Sequence, residues 1–418
     1  MSPEPVSIRP SSAAEVAGAL QRASDTRQSI VIRGAGTKAD WGRPAGRIDA
    51  VLEMRGLNRI LTHEHGDMTA TIEAGASLRE VNEVLALHGQ MLPLDPPFAD
   101  RATIGGLLAT NDSGPLRHRY GTPRDLVIGV QLATTDGVLA KAGGQVVKNV
   151  AGYDLSKLVT GSFGSLAAIV RATFKLSPLP AASKTLTMTV ADATALAEIV
   201  RIVMSSQLEP IAFEVVVGHG SLVMGRSYDA NDQRPKTNDP YHCAVLIRFA
   251  SLPAVVDAQI VQATAALAKC VTSMETVDGD AERALWDAHA TGIWEQPGAV
   301  IRASWLPANI AEVLARLKPC ATADGSPVAH GFSRAFIGRA AIGAGLIRID
   351  GDAAEQARMI DTLRASSAFG NVVIVRGSAE LKACVDVWGS HGSRQPLFDS
   401  LKRALDPNNV LNAGRGPL

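Results

Sequence analysis

Three glycine-rich segments carry residues whose types and spacing suit one chemistry, the binding of a phosphorylated ligand through backbone amides. Arg33-Gly34-Ala35-Gly36-Thr37-Lys38 follows a β-rich run, 28 to 33. Ala102-Thr103-Ile104-Gly105-Gly106 leads into Asn111-Asp112-Ser113-Gly114. The stretch from Lys148 to Leu176 carries Gly152, Gly161 and Gly164 and ends in an apolar strand. A pyrophosphate carries about two negative charges and can be held by inward-pointing amides without cationic side chains. Glycine costs conformational entropy, so such clusters need a reason: turns with positive φ, or backbone that lies close to a ligand. Three of them point to one extended ligand held along its length. No G-x-G-x-x-G follows Val31 and no acidic residue follows a matching βαβ unit, so the nicotinamide pattern fails, and no GxxxxGK[ST] phosphate loop occurs.

These segments need elements to hold them. Residues 12 to 23 read as an amphipathic helix capped by Ser12, and 77 to 88 as a helix opened by Ser77 and Glu80. Strands are expected at 28 to 33, 50 to 54, 68 to 73 and 166 to 176, and a hairpin around Asp136-Gly137. Asp154 reads as the cap of a short helix, 154 to 159. Ser177-Pro178-Leu179-Pro180 breaks the chain and marks a domain boundary. Beyond it glycine thins out, and alternating strands and helices predict a sheet with helices on one face. The end, Asp406-Pro407-Asn408-Asn409-Val410-Leu411-Asn412-Ala413-Gly414-Arg415-Gly416, places apolar residues between turns, as a docked tail would. The expected organisation is 1–180, 181–376 and a C-terminal segment, 377–418, returning to the first domain.

Composition narrows the partners. The chain has 418 residues with 46% hydrophobic and 20% charged residues and a formal net charge of +0. No bulk attraction to nucleic acid or anionic lipid follows. The four cysteines, Cys243, Cys270, Cys320 and Cys384, form no CxxC and no zinc or iron–sulfur framework, and reduced thiols suit a cytoplasmic location. The N-terminus lacks a signal-peptide pattern, and no apolar run reaches a membrane span. His63-Glu64-His65 could offer two imidazoles to a metal, but no further ligand is near in sequence, so it reads as a solvated loop before a strand at Met68 and no metal site is expected.

Together the three loops resemble the FAD-binding domain of the vanillyl-alcohol-oxidase superfamily, the PCMH type. The matching pieces are RGAGTK at 33–38, DMTATIEAGASL at 67–78, ATIGGLLATNDSG at 102–114, RYGTPRDLVIGV at 119–130 and the segment from Lys148. The resemblance implies an α+β fold: an FAD domain of two α+β subdomains plus an α+β cap. It implies FAD contacts from Arg33, Gly34, Ala35, Gly36, Thr37, Lys38, Pro96, Thr103, Ile104, Gly105, Gly106, Asn111, Ser113, Gly114, Lys148, Asn149, Gly152, Tyr153, Asp154, Gly164, Ser165 and Ile169. Tyr153 could stack near the isoalloxazine or anchor its loop. Covalent members carry His in the first loop or Cys in the second; Ala35, Gly36, Thr37 and Ala102, Thr103, Ile104 stand there, so non-covalent FAD is implied.

Within the superfamily, KNVAGYDLSKLVTGSFGSL with NDSGPLRHRYGTPRD is similar to the smaller FAD-binding subunits of bacterial three-subunit glycolate oxidases. That similarity implies a larger FAD-containing catalytic subunit and an iron–sulfur subunit as partners. It also implies glycolate oxidation to glyoxylate as the reaction served, and membrane contact only through the complex. Two alternatives stay open: a self-sufficient dehydrogenase of a small D-2-hydroxy acid, and a non-redox scaffold. Catalytic subunits carry an HxGDGNxH element, whereas the nearest stretch here, from Ala329 to Gly345, has only His330. A hydroxy-acid site needs an arginine for the carboxylate and a base for the hydroxyl. Arg302 or Arg348 with His330 could supply it, and His118 is a further base candidate; surface charge and core packing are the alternatives for all four.

Overall fold

A computed structural model of the chain describes residues 4–144, 152–218, 242–317 and 334–417. The chain divides into two units, Met1–Leu179 with Ser390–Leu418, and Pro180–Gly389.

Among the described residues the first unit carries two larger sheets and a two-stranded one, Gln90–Met91 with Ser177–Pro178. A small parallel sheet sets strand Ala50–Glu53 between Val6–Ile8 and Ile30–Arg33. An antiparallel sheet runs in the order Ile60–Glu64, Thr69–Glu73, Ala168–Lys175, Val127–Ala133, Leu139–Gly143. The last two strands form the hairpin, and Gly137 adopts φ +81° in its turn. Helix Ala13–Asp25 is capped by Ser12, whose side chain accepts from Glu15 N, and buries Val16, Ala19, Leu20 and Ala23 against Ile30 and Leu52. Helix Leu78–Ala86 starts the same way at Ser77 and packs Leu78, Val81 and Leu85 into a second core with Ile72 and Phe174. Burying a side chain such as Phe174 contributes about 1.5–3 kcal/mol. One expectation needs correction: His63 lies inside strand Ile60–Glu64, paired with Ala70, rather than in a loop before the strand.

The tail Asp406–Asn412 is held in the first unit by specific bonds. Buried Asp406 accepts from Val410 N at 3.1 Å, Leu411 N at 2.8 Å and Lys402 Nζ at 2.6 Å. Burial lowers the Lys402 pKa, with Asp406 opposing. Val410 and Leu411 enter the core beside Ile30.

The second unit is an eight-stranded antiparallel sheet. Its order is Ser273–Asp278, Ala182–Val190, His242–Ser251, Ala212–Gly218, Arg334–Arg339, Ala344–Ile349, Ala299–Ser304, Asn371–Arg376. One face carries Phe213, Val215, Ile247, Ile301, Phe336 and Ile347 and packs the apolar sides of helices Ala193–Ser205, Pro253–Leu267, Ile310–Leu317 and Ala353–Ala365. Helices do not stay on that face, as sequence patterning suggests: helix Gly279–Glu295 turns Glu282 and His289 toward Arg248 and Glu214, which lie on the other face. Its contact face mixes buried Glu282 and His289 with Leu285, Trp286 and Ile293, so hydrophobic periodicity does not reveal it. Leu381, Val385 and Val387 join the second unit's core, which carries that unit on to Gly389.

Candidate functional site

Strand Ile30–Arg33 delivers the first glycine segment, and the C-terminal tail fixes that strand. Ile30 N donates to Val410 O at 2.8 Å, Asn412 N to Ile30 O at 3.0 Å, and Ile32 N to Asn412 Oδ1 at 3.0 Å. Arg33 turns away to Glu53, its Nε at 3.0 Å. Gly34 lies so close to Thr103 that a Cβ there would overlap the Thr103 hydroxyl, so the first and second segments touch backbone to side chain. Ala35 and Gly36 are exposed and Thr37 is half-buried. Lys38 points inward: its Nζ lies 3.3 Å from Asp112 Oδ2 and 5.4 Å from the centre of the Trp41 ring. The Lys38 and Asp112 side chains are 6% and 3% exposed, so this ion pair is a buried strut between the two segments.

The second segment is pinned to the turn after strand Thr69–Glu73. Leu78 N donates to Ala102 O at 2.9 Å, Ile104 N to Ala76 O at 3.0 Å and Gly105 N to Ala74 O at 2.7 Å. The Ile104 and Gly105 amides, expected to face a phosphate, are therefore committed to holding the loop. Thr103 occupies the N-cap position of helix Ile104–Thr110, and Gly106 lies half-buried in its first turn. Asn111 closes that helix in the left-handed region, φ 46° and ψ 42°, and its Oδ1 accepts from Arg124 N at 3.2 Å. Ser113 is buried, and Gly114 packs against Asp95, whose carboxylate accepts from Leu116 N at 2.9 Å. Pro96, next to Asp95, is buried.

In the third segment, Lys148 and Asn149 lie outside the described residues. Gly152 is exposed, and Tyr153 is 92% exposed, so its ring stands in solvent instead of anchoring the loop. Asp154 caps helix Leu155–Val159, accepting from Lys157 N at 3.1 Å. The segment then binds the helix of the second: Gly161 N donates to Leu108 O at 2.9 Å and Phe163 N to Ala109 O at 2.8 Å. Gly164, at φ +69°, would place a Cβ 2.7 Å from Asn412 Nδ2, which donates to Phe163 O. Ser165 is buried and its Oγ donates to Ser162 O at 2.6 Å, while Ile169 belongs to the core. Ser162 Oγ is buried with no hydrogen-bond partner among the described residues.

All three segments thus meet in one place, linked by Gly34 to Thr103, Lys38 to Asp112, Gly161 to Leu108 and Gly164 to Asn412. The tail adds Arg415, which donates to the carbonyls of Lys38 at 3.3 Å, Ala39 and Trp41. Sequence reasoning missed Ser162 and the positioning roles of Asn412 and Arg415. The signal was present: Ser162 sits between two glycines of the third segment, and both tail residues lie in the turn-rich run flagged for docking.

The base and carboxylate candidates separate. His118 is half-buried in the single turn Arg117–Tyr120, in the first unit. His330 lies outside the described residues. Arg302 and Arg348 lie in the second unit, on the same face of the sheet, since Arg302 pairs with Leu346 and Arg348 with Val300. That face also carries Arg248, Arg339 and Glu214. Arg348 Nε donates to Asp350 at 3.1 Å, while its buried Nη1 has no hydrogen-bond partner among the described residues. Glu214 meets His289 Nε2 at 3.3 Å and Arg339 Nε at 3.9 Å.

Comparison with known proteins decides what the first segments belong to. Residues 5–143 match the family model of the FAD binding domain. That part of the chain is similar to an FAD binding domain.

Over 193 residues, 46% of this chain and 53% of the relative, the sequence is 35% identical to glycolate oxidase subunit GlcE of Escherichia coli (strain K12). Over 207 residues, 50% of this chain and 44% of the relative, it is 32% identical to glycolate oxidase subunit GlcD of Bacillus subtilis (strain 168). The chain thus spans about half the length of these two curated relatives. A D-2-hydroxyglutarate dehydrogenase of Xanthomonas citri pv. viticola is 27% identical across 99% of this chain and 89% of its own length. Among solved structures, an alkyldihydroxyacetonephosphate synthase superposes with a TM-score of 0.70 at 17% identity, covering 97% of this chain and 75% of that one. The fold is therefore α+β, of the PCMH-type FAD-binding kind, and the cofactor of the FAD binding domain is FAD. Among the described residues, no helix is long and apolar enough to cross a membrane.

Proposed function

We propose that this chain is an FAD-binding subunit of a glycolate-oxidase-type complex, serving the oxidation of a small 2-hydroxy acid with glycolate as the first candidate. The observation that carries the reading is the convergence of the three glycine segments in the FAD binding domain, in a chain resembling a glycolate oxidase subunit. The residues suit the cofactor. Exposed Ala35 and Gly36 offer backbone, Ser162 Oγ is a buried hydroxyl with no partner among the described residues, and Gly106 lies in a helix's first turn. Neither of the first two loops holds His or Cys, and all four cysteines fall between 180 and 389, so FAD is held without a covalent bond.

When bound between the loops that carry Ala35, Gly36, Thr37 and Ser162, FAD would supply a two-electron acceptor. The chain's own part is positional. The Lys38–Asp112 strut fixes the spacing of the first two loops, Asn412 fixes the third against the strand Ile30–Arg33, and Thr37 and Ser162 offer hydroxyls to the cofactor. In this reading an iron–sulfur partner chain would receive the electrons, and membrane contact would run through that complex. Anaerobic addition of glycolate to the assembled complex, with this chain's flavin resolved by site-specific loss in a Gly34→Val variant, tests the reading. Loss of this flavin should abolish electron delivery to the iron–sulfur subunit, and unchanged delivery with the complex intact would leave only a scaffold.

A second reading has its own support. Buried Arg348, whose Nη1 has no partner among the described residues, lies on one sheet face with Arg302 and offers carboxylate recognition by charge-assisted hydrogen bonds. A self-sufficient D-2-hydroxy-acid dehydrogenase then predicts anaerobic bleaching of the isolated, FAD-loaded chain by D-lactate or glycolate. Unchanged absorbance with both returns the reading to the complex.

A further inference from the structure

Three histidines that the flavin chemistry does not use come together in the first unit. His63 lies in strand Ile60–Glu64, His65 in the turn that follows, and His88 just beyond helix Leu78–Ala86. Each offers a ring nitrogen, and these nitrogens lie within 4.8 Å of one another. The rings of His65 and His88 stack with centres 3.7 Å apart, and His63 meets them edge-on at 4.2 and 5.3 Å. Three of the nine histidines in one spot, on three different local structures, is not explained by packing: His65 and His88 are exposed and add nothing to the core.

The surroundings are arranged as for a ligand set. Buried Gln90 donates through Nε2 to His65 O at 2.9 Å, which leaves its Oε1 as acceptor for His63 Nε2 at 2.8 Å. That network assigns the proton of His63 to Nε2 and leaves Nδ1 with a lone pair. Metal-bound histidines are oriented in this way, with the second ring N–H held by a carbonyl or carboxylate. His88 is set by the end of its helix, where Gly89 turns at φ +66° and its N donates to Ala86 O at 2.9 Å.

We propose that His63, His65 and His88 form a binding site for a divalent transition-metal ion of the zinc type, separate from the FAD binding domain's cofactor loops. Tetrahedral zinc with Zn–N of about 2.0–2.1 Å needs nitrogens about 3.3 Å apart. Rotation of the two exposed imidazoles off their stack closes the remaining gap, and a fourth position stays open for water. The ion would tie the Ile60–Glu64 strand and its turn to the end of helix Leu78–Ala86. Borderline metals suit imidazole, whereas magnesium and calcium prefer oxygen.

The test uses the full-length, untagged chain, stripped with chelator and titrated with Zn²⁺ against a chromophoric competitor, with Mg²⁺ as control. The expected result is one Zn²⁺ per chain with a raised melting temperature, and no response to Mg²⁺. His65→Ala and His88→Ala, both at exposed positions, should each weaken zinc binding at least tenfold and remove the melting shift while the circular dichroism stays unchanged. Zinc binding retained in either variant, or no stoichiometric binding by the native chain, overturns the proposal. FAD absorbance is followed in parallel; a site separate from the flavin predicts no change in it when zinc is removed.

Discussion

The Lys38–Asp112 pair should behave as a buried strut, and its energetics can be worked from its geometry. At 3.3 Å the attraction is about 5 kcal/mol for an effective dielectric of about 20. Desolvation of both ions offsets much of that, so the intact pair adds little net stability. Removing the Asp112 charge is different, because it leaves the buried Lys38 ammonium without that carboxylate, at a cost of about 3–5 kcal/mol. For a folding unit of this size each kcal/mol moves Tm by about 2–4 °C. Asp112→Asn should therefore lower the melting temperature by roughly 6–20 °C and loosen FAD. The double variant Lys38→Met with Asp112→Asn leaves no stranded charge and should regain most of the loss. Differential scanning fluorimetry on all four proteins, with FAD affinity by fluorescence quenching, reads the cycle. Additive effects of the two substitutions, or an Asp112→Asn protein melting like the parent, would refute the strut.

Three further outcomes are expected. Asn412→Ala strips the acceptor from Ile32 N and the donor from Phe163 O, so it should cost about 1–3 kcal/mol in urea unfolding and weaken FAD binding, although residue 412 is far from the first two loops in sequence. Glu73 is buried, which raises its pKa, but its hydrogen bonds with Arg59 outweigh this and hold it below the usual 4.5. Its folded pKa is depressed, so its stabilisation is complete above the unfolded pKa and fades as pH falls through the folded one; the melting difference between the parent and Glu73→Gln should be largest near neutrality and shrink below about pH 4.5. Burial pushes the Cys243 thiol up to about 12, whereas Cys384 is exposed, so maleimide at pH 8 should modify Cys384 in the native chain and Cys243 only after unfolding, read by peptide mass spectrometry.

The glycine segments were legible in sequence because backbone approach restricts composition. Gly34 and Gly164 are glycines since a Cβ would strike Thr103 and Asn412, and that constraint survives without any knowledge of the partner. What each glycine touches was not legible. The Gly105 amide looked available for phosphate, yet it holds Ala74 O, a bond that depends on how the turn after Thr69–Glu73 packs. The Lys38–Asp112 pair spans 74 positions, and His88 lies 23 positions from His65; no local pattern joins residues that distant. In the second unit, helix Gly279–Glu295 escaped notice because Glu282 and His289 face the sheet where apolar residues are the usual signal. Polar burial is visible only once Thr185, Arg248 and Glu214 are seen opposite them.

The central claim, that the three glycine segments form one non-covalent flavin site, is tested most directly by loading the purified full-length chain with FAD, desalting, and denaturing it. Flavin absorbance is expected at one FAD per chain, all of it released into the supernatant by denaturation, and lost beforehand in Gly34→Val and Gly164→Val proteins that remain folded by circular dichroism. A folded parent chain that retains no flavin, or flavin that stays with the denatured protein, would contradict it.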